Sequence, residues 1–76
     1  MFVKFENAGL SDSGKTQKWL VLGAQSGVPL GDVRWYGQWR KYAFSPIAGT
    51  VFDATCLREI ADFIESRTEE HGGTWT

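Results

Sequence analysis

The run Val33-Arg-Trp-Tyr-Gly-Gln-Trp-Arg-Lys-Tyr-Ala-Phe-Ser-Pro46 constrains the fold more than any other stretch of the chain. It holds five of the eleven aromatic residues, Trp35, Tyr36, Trp39, Tyr42 and Phe44, and interleaves them with Arg34, Arg40 and Lys41. Aromatic density of this kind suits the pleated surface of a strand. Gly37-Gln38 at the centre suits a two-residue turn, because glycine accepts a positive φ without steric cost. The expected hairpin sets Tyr36 against Trp39. Opposite residues of an antiparallel pair share a face. One face then carries Val33, Trp35, Arg40, Tyr42 and Phe44, and the other carries Asp32, Arg34, Tyr36, Trp39, Lys41 and Ala43. The first set is the more apolar and is assigned to the core, with Arg40 at its rim. The second set faces outward.

The rest of the chain organises itself around that hairpin. Met1 to Glu6 reads as a first strand, and Asn7 to Thr16, rich in Gly, Ser and Asp, as a loop. Lys18 to Leu22 reads as a second strand around Trp19, followed by a turn at Gly23–Gly27. Val28 to Tyr36 and Trp39 to Phe44 are the third and fourth strands, with Pro46 closing the last. A helix is expected from about Asp53 to about Glu70. Thr50 or Asp53 can cap it by accepting an orphan backbone N–H. Phe52, Cys56, Leu57, Ile60, Ala61, Phe63 and Ile64 form an apolar stripe at spacings of three and four. Arg58 and Asp62 are spaced for an i,i+4 pair, and Gly72-Gly73 is expected to stop the helix. The predicted class is α+β: a small antiparallel four-stranded meander with one C-terminal helix packed across one face. Residues 1–71 form the expected single domain, sheet over 1–46 and helix over 53–70, and residues 72–76 a flexible tail in which Trp75 could dock.

With 76 residues the core is small, and the aromatic side chains compensate by burying large areas. No apolar run is long enough to cross a membrane as a helix. The first residues lack the apolar region and cleavage site of a secretory leader, and the lone Cys56 cannot form an internal disulfide, so a reducing cytoplasm is expected. The formal net charge is −1, but residues 1–45 carry six Lys/Arg against three Asp/Glu, and residues 46–76 carry two against six. The chain is therefore expected to be electrically two-sided, with a basic sheet and an acidic helix. Generic DNA binding is disfavoured, since duplex binders are usually far more basic.

Gly9-Leu-Ser-Asp-Ser-Gly-Lys-Thr16 matches the phosphate-loop pattern letter for letter. A working phosphate loop opens a helix, whose N-terminus holds the phosphates. Here the residues that follow are strand-like and stop at Gly23, so a glycine-rich hairpin loop is the better reading. A nucleotide hydrolase built on Gly9–Thr16 stays a remote alternative. Metal binding is not expected, because Cys56 and His71 are the only soft or imidazole ligands. Cys56 reads as a small core residue, and His71 as a partner of the helix C-terminus. The chain is read as no enzyme and as needing no cofactor.

The outward face is the candidate site: Arg34, Tyr36, Trp39 and Lys41, with Arg40 at the rim. Trp, Tyr and Arg dominate protein–protein hot spots, and rings beside cations also stack on bases and hold phosphates. The expected partner is thus a protein or a nucleotide-type small molecule, with a nucleic-acid-binding regulator as the alternative. A domain this small also gains stability by forming a homodimer.

The segment Leu30–Pro46, with Thr50-Val-Phe-Asp53 and Cys56–Ile64, resembles a family of small uncharacterised proteins carried by bacteriophages, prophages and mobile elements. The resemblance covers residues 17–67, and its mark is the Trp-Tyr-x-x-Trp-Arg-x-Tyr-x-Phe-x-Pro run at residues 35–46. The Gly9–Thr16 run lies outside it. The resemblance implies a phage setting in a host bacterium. By analogy with other small phage proteins it implies an accessory protein that binds a host protein or a nucleotide signal and so antagonises a host defence system.

Overall fold

The computed structural model describes residues 2–12 and 14–71. Four strands, β1 (Val3–Leu10), β2 (Gln17–Gly23), β3 (Pro29–Tyr36) and β4 (Lys41–Pro46), form one antiparallel sheet in the order β1-β2-β3-β4. A single helix, α1 (Ala54–Glu70), packs across one face. This is the α+β meander that the residue pattern predicts. The proposed helix stop at Gly72-Gly73, the tail and Trp75 lie outside the described residues.

Register explains which residues meet the helix. Phe5 pairs with Val21, Val21 with Gly31, Trp19 with Val33, Val33 with Phe44, and Trp35 with Tyr42. These residues, with Val3, share the helix-side face, and Val3, Val21, Val33, Tyr42 and Ile60 are its buried centre. Around them the rings interlock: Phe5 stacks on Phe63 at 3.8 Å, and Trp19 meets Tyr42 and Phe63 edge-on at 5.3 and 5.1 Å. Such pairs contribute about 0.5–1.5 kcal/mol each beyond the area they bury. Gly31 is glycine for a reason of space. A Cβ there would press on the Ser45 carbonyl oxygen and come within 2.7 Å of Cε1 of Phe44, whose ring lies over the glycine.

The helix begins where the cap was expected. The Asp53 carboxylate accepts the Cys56 N–H at 2.9 Å. Phe52, Cys56, Ile60, Phe63 and Ile64 of the predicted stripe pack on the core. Leu57 and Ala61 do not: Leu57 is 50% exposed, because the helix turns that edge away from the sheet. Thr68, fully buried, takes the place one turn beyond Ile64. Arg58 and Asp62 form no ion pair among the described residues; on the helix Arg67 bridges to Glu70.

Helix side chains also close part of each sheet edge. Unpaired edge amides invite pairing with other chains. On β1, the Glu59 carboxylate accepts the Phe2 N–H at 3.0 Å and the Val3 N–H at 3.2 Å. On β4, the Tyr42 N–H donates to Thr68 Oγ1 at 3.1 Å. The Tyr42 hydroxyl in turn accepts the Gln17 N–H at 3.3 Å, so one residue ties β4 to both the helix and β2.

The expected bounds of β2 and β3 are off by one residue at most, while those of β1 and β4 move further, β4 ending at Pro46 rather than Phe44. β1 runs on to Leu10 through Asn7 and Gly9, with a register shift between Asn7 and Leu10 that absorbs the turn-forming residues. β4 starts at Lys41 rather than Trp39, because the β3–β4 connection is a four-residue turn, residues 37–40.

Candidate functional site

The turn decides where the predicted site residues stand. Tyr36 pairs with Lys41, not Trp39, and the turn carries backbone bonds from the Trp39 N–H to the Tyr36 carbonyl and from the Arg40 N–H to the Gly37 carbonyl. Arg40, not Gly37, takes the positive φ, at 53°. The true register differs from the expected one by two residues, and a shift of two preserves the faces because side chains alternate with period two. Val33, Trp35, Tyr42 and Phe44 therefore still face the core, and Arg34, Tyr36, Lys41 and Ala43 still face outward. The correction falls on the two residues that left the strand. Arg40 is an exposed turn residue rather than a core-face rim residue, and Trp39 lies at the turn rather than in the ladder.

Trp39 nevertheless joins the outward group. Its ring meets Tyr36 edge-on at 4.4 Å, with Trp39 62% and Tyr36 39% exposed. The Tyr36 hydroxyl donates to Gln38 Oε1 at 3.1 Å, which steadies the ring over the turn. Arg34, one row away on the same face, places Nε and Nη2 against Asp32 Oδ2, at 2.6 and 2.5 Å. Asp32 and Arg34 are two apart on one strand and so share a face. Of the predicted residues, Arg34, Tyr36, Trp39 and Lys41 form one corner of the open face, and Arg40 stands at its edge.

Beside that corner lies a hollow of about 400 Å³, bordered by residues that include Ala8, Lys18, Leu20, Asp32, Arg34, Ser45, Pro46 and Ile47. A second hollow, about 290 Å³, lies between the β1–β2 loop and the sheet, against Ser11, Asp12, Thr16, Lys18, Arg34 and Trp35. Lys18 and Arg34 border both. Tyr36, Trp39, Arg40 and Lys41 border neither. Lys18 is the residue that the sequence reading missed. Its position next to Trp19 in an alternating strand is the signal that assigns it to the open face.

The Gly9–Thr16 run closes the β1–β2 hairpin and leads into strand β2. Its loop is tied by Ser11 N–H to the Thr16 carbonyl, Gly14 N–H to the Ser11 carbonyl, and Thr16 Oγ1 to Ser11 Oγ at 2.8 Å. No helix N-terminus follows it, so the geometry that a phosphate loop requires is not formed there. Among the described residues no three His, Cys, Asp or Glu side chains converge as metal ligands. No helix of the described residues is long and apolar enough to cross a membrane. His71 follows the helix, its N–H bonded to the Arg67 carbonyl and its ring tilted against Trp35 at 4.3 Å. The Asp53 carboxyl is held below its usual pKa by the hydrogen bond from the Cys56 amide, and the same carboxylate raises the pKa of the Cys56 thiol.

Comparison with known proteins gives one informative similarity. Over 56 residues, 74% of this chain and 72% of the other, the chain is 36% identical to the "Uncharacterized 9.3 kDa protein" of Acholeplasma phage L2. No family model and no solved structure matches the chain.

Proposed function

The chain belongs to the family of that 9.3 kDa phage protein, and on this premise we propose that it is a non-catalytic phage accessory protein that acts by binding. Its open sheet face docks on a host protein and, in the host cytoplasm, antagonises a defence system. One observation carries the reading. The helix covers one face of the sheet, and the other is left with an exposed Trp39–Tyr36 pair flanked by Arg34 and Lys41. Rigid aromatic anchors beside an arginine are the residue types that concentrate binding energy at protein interfaces.

A protein partner suits this corner better than a nucleic acid. Lys4, Lys18, Arg34 and Lys41 share the open face with Glu6 and Asp32, so the surplus of positive charge is small. Asp32 also occupies part of the Arg34 fork. A polyphosphate backbone would meet carboxylates on this face, whereas a protein surface with a few acidic residues around an apolar socket would complement it. A nucleic-acid regulator predicts affinity that falls steeply with salt, and salt-independent capture speaks against it.

The test is affinity capture from host lysate with three purified chains: wild type, Trp39→Ala and Leu57→Ala. Leu57 is an exposed apolar residue on the helix. The reading expects a host protein that wild type and Leu57→Ala retain and Trp39→Ala loses. A partner lost with Leu57→Ala and kept with Trp39→Ala would assign binding to the helix instead.

A further inference from the structure

The hollow beside the docking corner contains a charge arrangement that sheet stability does not explain. The β2–β3 register pairs Trp19 with Val33 and Leu20 with Asp32. Continued by one residue, it sets Lys18 across from Arg34, where like charges directly opposite destabilise a sheet. Asp32, which also borders the hollow, bonds to the arginine alone, through Nε and Nη2, and leaves Nη1 and the Lys18 ammonium as the two cationic donors beside it. Arg34 Nη1 and the Lys18 ammonium make no hydrogen bond or ion pair among the described residues, and both residues border the hollow. The lining is otherwise mostly apolar and includes Leu20, Ala8, Pro46 and Ile47. Its volume of about 400 Å³ falls in the range of small-molecule sites, roughly 300–1,000 Å³.

We propose that this hollow is a binding site for a small phosphate monoester carried on a flat apolar body. The phosphate sits between the Lys18 ammonium and Arg34 Nη1, and the body lies on Leu20. A dianionic phosphate answers both cations and removes their repulsion, whereas a single carboxylate is satisfied by Lys18 alone and leaves Arg34 to Asp32. The site goes beyond the protein-docking reading and shares only Arg34 with it, so either can fail without the other.

The experiment uses the isotopically labelled full chain and follows amide shifts during titration with 1-naphthyl phosphate, and separately with inorganic phosphate. The expected result is saturable movement at Lys18, Leu20 and Arg34, with inorganic phosphate weaker by about tenfold or more because it has no apolar body to bury against the lining. Lys18→Met lowers the affinity for 1-naphthyl phosphate by about tenfold or more. Lys4→Met, on the same face but away from the hollow, leaves it unchanged, as does Trp39→Ala. No saturable shift at millimolar ligand, equal affinity for the two probes, or equal loss in Lys18→Met and Lys4→Met would each overturn the proposal.

Discussion

Replacing Thr68 by valine removes one oxygen at the place where the helix grips the edge of the sheet. Thr68 is fully buried, and its Oγ1 is the acceptor for the Tyr42 N–H on β4. Valine keeps the volume of the side chain, so no cavity opens and the loss is confined to the acceptor. The Tyr42 amide then has no partner in a buried setting, which costs about 1–3 kcal/mol. In a domain of this size each kcal/mol moves Tm by roughly 4–8 °C, so Thr68→Val should melt about 4–24 °C lower. Thr68→Ser keeps the oxygen and loses a methyl group, at a cost of about 0.5–1.5 kcal/mol by analogy with other single-methyl deletions. Thermal melts alone leave those two ranges overlapping. Amide hydrogen exchange separates them: Tyr42 should exchange faster relative to the neighbouring β4 amides in Thr68→Val and should not in Thr68→Ser. A valine variant as stable as wild type, with the Tyr42 amide still protected, would refute the account of how β4 is held.

Two further outcomes follow from other contacts. Gly31→Ala should lower stability by about 1–3 kcal/mol in urea unfolding, since its Cβ meets the Phe44 ring and the Ser45 carbonyl. Asp53→Ala should destabilise the helix at neutral pH, while Asp53→Asn, which can still accept the Cys56 N–H, should retain most of the cap. The folded-state pKa of Asp53 is depressed below its ordinary value of 3.8. Its ionised carboxylate therefore contributes stability above that value and loses the contribution as pH falls through the lower folded-state pKa. The gap in Tm between wild type and Asp53→Ala should accordingly narrow in acid, as thermal melts across pH would record.

Much of this architecture is legible in the residues because period and capping are local. Asp53 marks the helix start, and the spacing of Phe52, Cys56, Ile60 and Phe63 marks its buried side. The faces of the hairpin survive an incorrect turn for a geometric reason: the error was two residues, and only an odd shift exchanges faces. The turn itself was not legible. A glycine at position 37 invites the two-residue form, but the chain instead lets Arg40 adopt the left-handed conformation, at a cost on the order of 1–3 kcal/mol, and sets Trp39 against Tyr36. The burial of Thr68 and the edge contacts of Glu59 depend on where the helix crosses the sheet, which no local pattern specifies. Lys18 escaped for a similar reason. Its side follows from alternation with Trp19, but its place opposite Arg34 needs the β2–β3 register, and that register contains a shift between Val21 and Leu22.

The central claim is that the open sheet face, not the helix, is the working surface. The most direct test is amide-shift mapping of the labelled chain against the purified host protein that wild type captures. The account predicts that broadening and shifts concentrate at Arg34, Tyr36, Trp39 and Lys41 and vanish with Trp39→Ala. Changes centred on Val51, Leu57 and the outer side of α1, or the absence of any capture that depends on Trp39, would contradict it.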